Sequence, residues 1–559
     1  MTAAPHTTAW APPELHNGRR VVVLLAITLA LAVISLQLLH LATLQKIEPR
    51  VALTEPITRT FLRPDIVDRN GRLLATDVAA PSLFANPSLI IDLDETVERL
   101  AVALPGLDEA DLRRTLVDRN RRFVWIKRGL APVDAQRVHD EGLPGLGFRH
   151  EPKRVYPNGL LGGHVLGSVN VDNRGQAGIE RHIDESIGIE SVSGASPSRQ
   201  SAVRLSLDLG VQQAVTDELA AAMERHRAKA ATGLVMDALT GEIAAAVSLP
   251  GVDPNRPATA LDATRADRLH AGVFELGSIF KALTIAQAVD ERIATLDTAI
   301  DVTKAIEIGR YKIRDHHPSP GPLTVRDIFL HSSNVGAGRL ALSAGVVRQK
   351  SFLAKLGLTE PMRTEAGPIA PPMLPKHWGE IETVTIGYGH GLALAPIQFA
   401  AAAATLINGG TRVAPTFLRT VGSPNPGERL ITAEASAAQR EIWRLNVAAP
   451  QGTGKRAEVP GLRVGGKTGT AEIPGVGGYQ AKAVIASFVA ALPMEAPRWI
   501  ILVSVFEPQG TAETKNAITA AHNAAPTTAR IVARIAPILG VLPRRLEARA
   551  DANQGPAQP

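Results

Sequence analysis

Residues 461–472 read GLRVGGKTGTAE, and the reading of this stretch decides the fold. Its first eight letters satisfy the phosphate-loop pattern G-x-x-x-x-G-K-[ST], with Gly461, Gly466, Lys467 and Thr468 at the fixed positions. Such a loop cradles phosphate only where a strand precedes it and a helix follows. Here GKRAEVP stands before Gly461 and offers no apolar strand. GTAEIPGVGGYQ follows Thr468, and its Pro474 and glycines forbid a helix. The apolar run ending on an aspartate, LVMD at 234–237, lies upstream of the loop, whereas phosphate-loop enzymes usually present it downstream. Read one frame on, Lys467 to Thr470 form a strand-like KTGT carrying one cation and two hydroxyls. Gly465, Gly466 and Gly469 leave room for another backbone to come close. This set of groups suits a peptide carboxylate better than a phosphate.

A second stretch, FELGSIFKALTIAQAVDERI (274–293), carries a possible nucleophile. Ile279, Leu283, Ala286, Val289 and Ile293 recur at helical spacing, which predicts an amphipathic helix with Ser278 at its start. Lys281 falls on the same face. The helix N-terminus supplies free N–H groups and a positive dipole end beside the serine. A serine hydroxyl needs a base. With an ordinary pKa of about 10.4, only on the order of one lysine in a thousand is neutral at pH 7. Burial and a second cation lower that value, and Lys467 is the candidate second cation. S-x-x-K occurs once in the chain, and its neighbours Phe274, Leu276, Ile279 and Phe280 are apolar, which argues for burial.

S-x-N occurs three times, at Ser168/Asn170, Ser332/Asn334 and Ser423/Asn425. The first lies in the N-terminal part, and the third has Pro424 at its centre. Ser332-Ser333-Asn334 lies between two helical patterns and between the other two motifs, so it is the one chosen; its bland alternative is a helix N-cap. A Ser-His-Asp hydrolase is not supported, because no G-x-S-x-G occurs. His316-His317 has no second ligand cluster at metal spacing, so no metal and no cofactor are expected.

Of the 559 residues, 45% are hydrophobic and 20% charged, which fits two or three folded domains. The net charge of +6 is scattered rather than blocked, so no nucleic-acid stripe is visible. Cysteine is absent, which excludes thiol catalysis, Cys-based zinc sites and disulfides. Val21 to Gln45 contains no Asp, Glu, Lys or Arg and reads as an uncleaved membrane anchor. Arg19 and Arg20 precede it, while Lys46, Arg50, Arg59 and Arg63 follow, so charge bias does not settle the orientation.

Residues 42–190 alternate short apolar runs with turns, among them a hairpin turn at Asn70-Gly71. SVSGASPSRQS (191–201) reads as a linker. Beyond it, two strands flank Thr240-Gly241 and helical patterns fill roughly 265–450. Strands follow at 481–492 and 498–507, and a helix at 526–539. Strands at both ends with helices between them predict an α+β fold, an antiparallel sheet closed by distant segments and flanked by helices.

The motifs SIFK, SSN and KTGT, in that order, resemble those of the penicillin-binding transpeptidases. The likeness runs from about residue 20 to 540. RPDIVDRNGRLLA and RVYPNGLLGGHVLGSVNVDNRGQAGIE resemble the pedestal of class B members. LSLDLGVQQAVTDEL, GLVMDALTGEIAAAVSLPGVDPN and TIGYGHGLALAPIQFAAAAATLINGG resemble the transpeptidase domain. With NAAPTTARIVARIAPILGV near the end, the pattern is most similar to the septal subclass, the penicillin-binding protein three type. Leu276 stands where family members often have Pro, and Arg63-Pro64 where they often have Arg-Gly. No glycosyltransferase domain fits between anchor and pedestal, which separates the chain from class A.

The resemblance implies a cytoplasmic tail (1–20), a transmembrane anchor (21–41), a pedestal (42–200), a periplasmic transpeptidase domain (205–540) and a disordered tail (541–559) on the inner membrane. It implies that Ser278 attacks a D-Ala-D-Ala stem, Lys281 accepts its proton, and Ser332 passes a proton to the leaving group between Lys281 and Lys467. Asn334 would hold the stem amide, and N–H groups of Ser278 and Thr470 the oxyanion. Lys467, Thr468 and Thr470 would take the carboxylate, beside Gly469. Implied partners are peptidoglycan stem peptides, β-lactams bound covalently, and a membrane-embedded glycan polymerase with other division proteins, with no nucleic acid. The alternatives left open are an inactive division scaffold and an elongation-specific transpeptidase.

Overall fold

The computed structural model describes residues 17–44, 63–187, 201–420, 427–475 and 478–543. The tail at 1–16, the linker at 191–200, Ser423/Asn425 and the tail from 544 onward lie outside the described residues. Helix α1 (Asn17–Leu44) is a unit by itself. Its Val21–His40 stretch has a mean hydropathy of 2.7 over 20 residues, long and apolar enough to cross a membrane.

The second unit begins with a small sheet. Strand β1 (Ile66–Val67) turns through Asn70-Gly71 into β2 (Leu73–Ala85), and the two pair antiparallel. Gly71 has φ +84°, and the Asp68 carboxylate accepts from the N–H groups of Asn70 and Arg72, both at 2.8 Å. Three helices follow that the apolar pattern does not reveal: α2 (Leu93–Ala103), α3 (Glu109–Leu116) and, after β3 (Val124–Lys127), α4 (Pro132–Asp140). Asp92 and Asp108 cap the first two with their carboxylates. They bury Leu100, Leu112 and Val138 with Leu83 and Ala85 of the sheet. Strand β4 (Leu146–Val155) completes the layer against β2.

A cluster of buried charge ties this pedestal together. Arg63 Nε lies 2.9 Å from one oxygen of Glu180, and Arg154 Nε lies 2.6 Å from the other. All three side chains are fully buried. Asp77 and Asp184 add further carboxylates, at 3.2 Å from Arg154 and 2.5 Å from Arg63. The Pro64 carbonyl accepts from Arg154 at 3.0 Å, so proline in place of the usual glycine leaves this contact available.

Strand β5 (Val203–Arg204) pairs parallel with β1 and leads into the next layer. Asp208 caps α5 (Leu209–His226) and also accepts from Asn70 Nδ2 at 2.8 Å, which fastens the pedestal hairpin to the helix. Then come the hairpin β6 (Ala230–Asp237) and β7 (Ile243–Leu249), with Gly241 at φ +79° in its turn. The helices that follow include α6 (Lys281–Asp290), α7 (Val325–His331), α8 (Asn334–Ala344), α9 (Glu380–Tyr388), α10 (Pro396–Ile407) and α11 (Ala433–Ala448), with a further helix over Val346–Lys355. Ahead of α7 a small hairpin pairs β8 (Ile306–Ile308) with β9 (Tyr311–Ile313). The chain closes with β10 (Gly465–Gly475), β11 (Gly478–Leu492), β12 (Trp499–Phe506) and α12 (Ala524–Ile538).

The large sheet has the order β10-β11-β12-β6-β7, antiparallel throughout. β12 pairs with β6, which brings residues from the two ends of the domain side by side and realises the closure expected from the sequence. Its strands are covered on both faces, and alternation sorts their side chains. Leu234, Met236, Ile500 and Leu502 join the core containing α6 and α10. Val235, Ile501 and Val503 join the core containing Val215 of α5 and Ile531 of α12.

α6 corrects one expectation. Every residue from Lys281 to Val289 is buried, so the helix is enclosed on all sides rather than amphipathic. Its small residues, Ala282, Ala286 and Ala288, let neighbouring helices approach from the faces that would otherwise meet solvent.

Candidate active site

Ser278 lies in a 3₁₀ turn, Gly277–Phe280, that runs directly into α6. The turn matters because a 3₁₀ helix has three residues per turn, so positions i and i+3 eclipse. Lys281 is thereby stacked on Ser278, with Nζ 2.8 Å from Oγ. Lys281 is fully buried, while Ser278 stays half-buried at the surface of the cleft.

The second motif occupies the joint between α7 and α8. Ser332 ends α7 in the left-handed region at φ +58°, a conformation a non-glycine residue holds only when its surroundings fix it. Ser333 is the helix N-cap of α8, accepting from Gly336 N at 2.9 Å. The capping role therefore belongs to the middle serine, and Ser332 and Asn334 turn their side chains to the lysines. Lys281 Nζ lies 2.6 Å from the Ser332 carbonyl, 2.7 Å from Asn334 Oδ1 and 3.1 Å from Ser332 Oγ.

The third motif lies on β10, the edge strand of the large sheet. Lys467 is fully buried. Its Nζ lies 3.0 Å from Ser332 Oγ and 5.6 Å from the centre of the Phe329 ring. Ser332 Oγ thus bridges the two lysines. Close approach of the first and third motifs depends on glycine. A Cβ on Gly469 would stand 2.5 Å from the Leu276 carbonyl oxygen, and one on Gly277 would stand 2.8 Å from that of Thr470.

The electrostatics follow from two ammonium groups placed in a dry site. Burial is the largest influence on Lys281, the nearby charge of Lys467 adds to it, and the two hold its pKa well below the ordinary lysine value. The Asp315 charge opposes them with a smaller influence. Burial brings Lys467 down to about 7. Valence then fixes the orientation of Lys281. A neutral amine has two N–H groups and one lone pair. The carbonyl oxygens of Ser332 and Asn334 can only accept, so they take the two N–H groups. The lone pair is left to a hydroxyl, and Ser278 is the nearer one.

Ser278, Lys281, Ser332, Asn334 and Lys467 are therefore brought together as the sequence predicts. Thr470 is half-buried at the same cleft, and its hydroxyl accepts from Ala520 N at 3.1 Å, leaving its proton free to be donated. Thr468 differs. Asn446 Oδ1 receives the Thr453 hydroxyl proton at 3.1 Å, so Thr453 must accept from Thr468, at 2.8 Å. The Thr468 proton points into the protein and fixes the strand rather than facing the cleft.

One residue escaped sequence reasoning. The Asp315 carboxylate accepts from Ser333 Oγ at 2.6 Å, Asn334 N at 2.5 Å and Val335 N at 3.0 Å, and so pins the whole second motif. It belongs to no spacing pattern; its only sequence signal is an acidic residue ahead of a serine-rich helix joint. The phosphate-loop frame also finds its answer here. β10 runs where the helix would have to start, and Asp237 is engaged by Arg498 at 3.0 Å. Gly461 sits in a turn at φ +77°. Asn170 caps a pedestal turn, accepting from Asp172 N and Arg174 N, remote from the lysines in role. Among the described residues no group of His, Cys, Asp and Glu could hold a metal ion.

Comparison with known proteins places this geometry. Residues 231–529 match the family described as penicillin binding protein transpeptidase domain, and residues 60–193 match the penicillin-binding protein dimerisation domain. A probable peptidoglycan D,D-transpeptidase FtsI of Caulobacter vibrioides is 36% identical over 86% of this chain and 82% of that protein. A probable peptidoglycan D,D-transpeptidase PenA of Neisseria meningitidis is 33% identical over 89% of each chain. The peptidoglycan D,D-transpeptidase FtsI of Escherichia coli K12 is 28% identical over 84% of each. The apo transpeptidase domain of penicillin-binding protein 3 from Burkholderia pseudomallei superposes with a TM-score of 0.55 at 31% identity, covering 61% of this chain and 98% of that one. A serine and two buried lysines joined through a second serine, on an antiparallel sheet behind a dimerisation-type pedestal, mark the chain as a member of the penicillin-binding protein transpeptidase family, class B.

Proposed function

We propose that this chain is a peptidoglycan D,D-transpeptidase of the division septum, working through an acyl-enzyme on Ser278. The observation that carries the proposal is the position of Lys281 Nζ, 2.8 Å from Ser278 Oγ, with two carbonyl oxygens beside it to accept its N–H groups. Ser278 Oγ attacks the carbonyl of the penultimate D-Ala, and its proton passes to Lys281. The oxyanion is held by backbone N–H groups of Ser278 and Thr470; removal of one such donor typically costs roughly 10²–10³ in rate. The C–N bond to the terminal D-Ala breaks, and the leaving nitrogen takes a proton from Ser332 Oγ, which recovers one from Lys281; Lys281 is neutral again and Lys467 keeps its proton. The amine of a second stem peptide then forms a new C–N bond and releases Ser278.

The donor stem adds as a strand along the free edge of β10. Asn334 holds a stem amide, while Lys467 and the free proton of Thr470 take the terminal carboxylate; Gly469 keeps the strand close to the first motif. β-Lactams acylate the same serine and stall there. The α1 helix anchors the chain in the inner membrane, with its N-terminus cytoplasmic and both domains periplasmic, beside a membrane-embedded glycan polymerase and other division proteins. The high likeness to proteins named FtsI favours the septal role. Labelling with a fluorescent penicillin, followed by peptide mass spectrometry, tests the proposal: the label is expected on the peptide carrying Ser278. A folded Ser278→Ala protein that still labels covalently would overturn it.

A further inference from the structure

Beside the second motif the surface opens into a crevice of about 490 Å³, lined by Lys304, Glu307, Lys312, Arg314, Asp315 and Val335. It contains three cations and two carboxylates, and both carboxylates are already engaged. Glu307 pairs with Lys312 across the β8–β9 hairpin. Asp315 spends its oxygens on Ser333 Oγ and the N–H groups of Asn334 and Val335. Lys304 and Arg314 are exposed and form no ion pair within 4.0 Å among the described residues; the carboxylates they act on, Asp301 and Glu307, lie farther off. The charge left over in the crevice is positive.

Its position relative to the reacting serine is set by the Ser332–Asn334 turn. Ser332 and Asn334 face the two lysines on one side, and Ser333 with the backbone N–H groups faces Asp315 on the other. The donor stem, laid along β10, approaches from the lysine side. The crevice adjoins this turn through Asp315 and Val335.

We propose that this crevice is a subsite for a free carboxylate of the acceptor stem peptide, contacted by Lys304 and Arg314. The inference rests on the transpeptidase reading, because only that reaction brings two stems to one site. The chemistry fits twice over. A stem peptide carries side-chain and α-carboxylates unless they are amidated, and a cationic flank attracts them. The same positive charge disfavours the protonated form of the acceptor amine, and only the neutral amine attacks. In the step itself, the amine nitrogen bonds to the ester carbonyl, the carbonyl–Oγ bond breaks, and the proton lost by nitrogen returns to Ser278 Oγ by way of Lys281.

The test uses the full-length protein in detergent and two fluorescent stem tripeptides, one with free carboxylates and one fully amidated. Anisotropy reads their binding without turnover. The unmodified protein is expected to favour the free-carboxylate peptide, with the preference fading as salt screens it. The double variant Lys304→Gln/Arg314→Gln is expected to lose roughly tenfold in affinity for the free-carboxylate peptide and nothing for the amidated one. Lys304→Arg/Arg314→Lys should retain the preference. A Gln variant that binds both peptides as the unmodified protein does, or loses both equally, overturns the subsite. A loss confined to acylation by a donor pentapeptide, with acceptor binding intact, overturns the assignment to the acceptor. Penicillin labelling of the unmodified protein is read in parallel: its absence would sink the acyl-enzyme reading, while the binding preference still reports on the crevice.

Discussion

Two clusters of buried charge among the described residues are built in opposite ways. In the pedestal, Arg63 and Arg154 share the two oxygens of Glu180, with Asp77 and Asp184 behind them. Positive and negative groups alternate, two guanidinium groups among three carboxylates, so every cation touches an anion. In the candidate active site, Lys281 and Lys467 are equally buried, yet among the described residues no carboxylate touches either one. Their neighbours are hydroxyls and carbonyl oxygens. A matched cluster holds protons and geometry fixed over a wide pH range. An unmatched pair of like charges cannot stay fully protonated, so it is driven to give a proton up. The first arrangement is suited to joining segments distant in sequence, and the second to moving protons.

The largest expected effect is on the unmatched pair. Ser278→Ala should abolish covalent labelling by penicillin, and Lys281→Ala should slow acylation by at least about 10³-fold, read by stopped-flow with the labelled drug. Normal acylation in Lys281→Ala would break the comparison. Next comes the group that holds the turn. Asp315→Asn should lower acylation by up to about 10²-fold with little change in melting temperature, because it shifts Ser332 and Asn334 without removing either.

The matched cluster should answer differently. Glu180→Gln removes the carboxylate that both guanidinium groups share, leaving Arg63 with Asp184 and Arg154 with Asp77, and is expected to cost about 3–5 kcal/mol of stability in urea unfolding. The acylation rate of the protein that remains folded should not change.

The smallest effects lie in pH dependence. Both lysines bind a proton less tightly in the folded chain than in the unfolded one. Between pH 7, where Lys467 titrates when folded, and about 10.4, where lysines titrate when unfolded, the unfolded chain carries more protons. Stability contributed by this pair therefore rises with pH across that window, and Lys281→Met/Lys467→Met should flatten the rise. Acylation itself should fall on the alkaline side of about pH 7 as Lys467 loses its proton, and Lys467→Arg should remove that limb.

The three motifs were legible because each has residues at short fixed spacing, and the sheet because β6, β7, β11 and β12 are apolar runs bounded by turns. What stayed hidden has physical reasons. Asp315 acts through space on a motif to which no short pattern links it. The pedestal helices are short, and their signal is an aspartate cap rather than a periodic apolar face. The enclosure of α6 depends on what packs against its second face, which a helical period cannot report. The proton chain from Thr468 through Thr453 to Asn446 joins residues that share no pattern.

The enclosure of α6 also bears on how such a protein can change over generations. Ser278 sits on the 3₁₀ turn that leads into α6, and Lys281 opens that helix, whose residues through Val289 are core on every side. A substitution that reshapes the nucleophile must also repack the centre of the domain, where a single lost or added methylene is felt. Heritable escape from a covalent inhibitor is thereby steered away from the reacting groups. It is expected to collect at the rim instead, on the turns between β12 and α12 that reach the cleft at Thr470, where side chains can vary while the helix beneath them keeps its place.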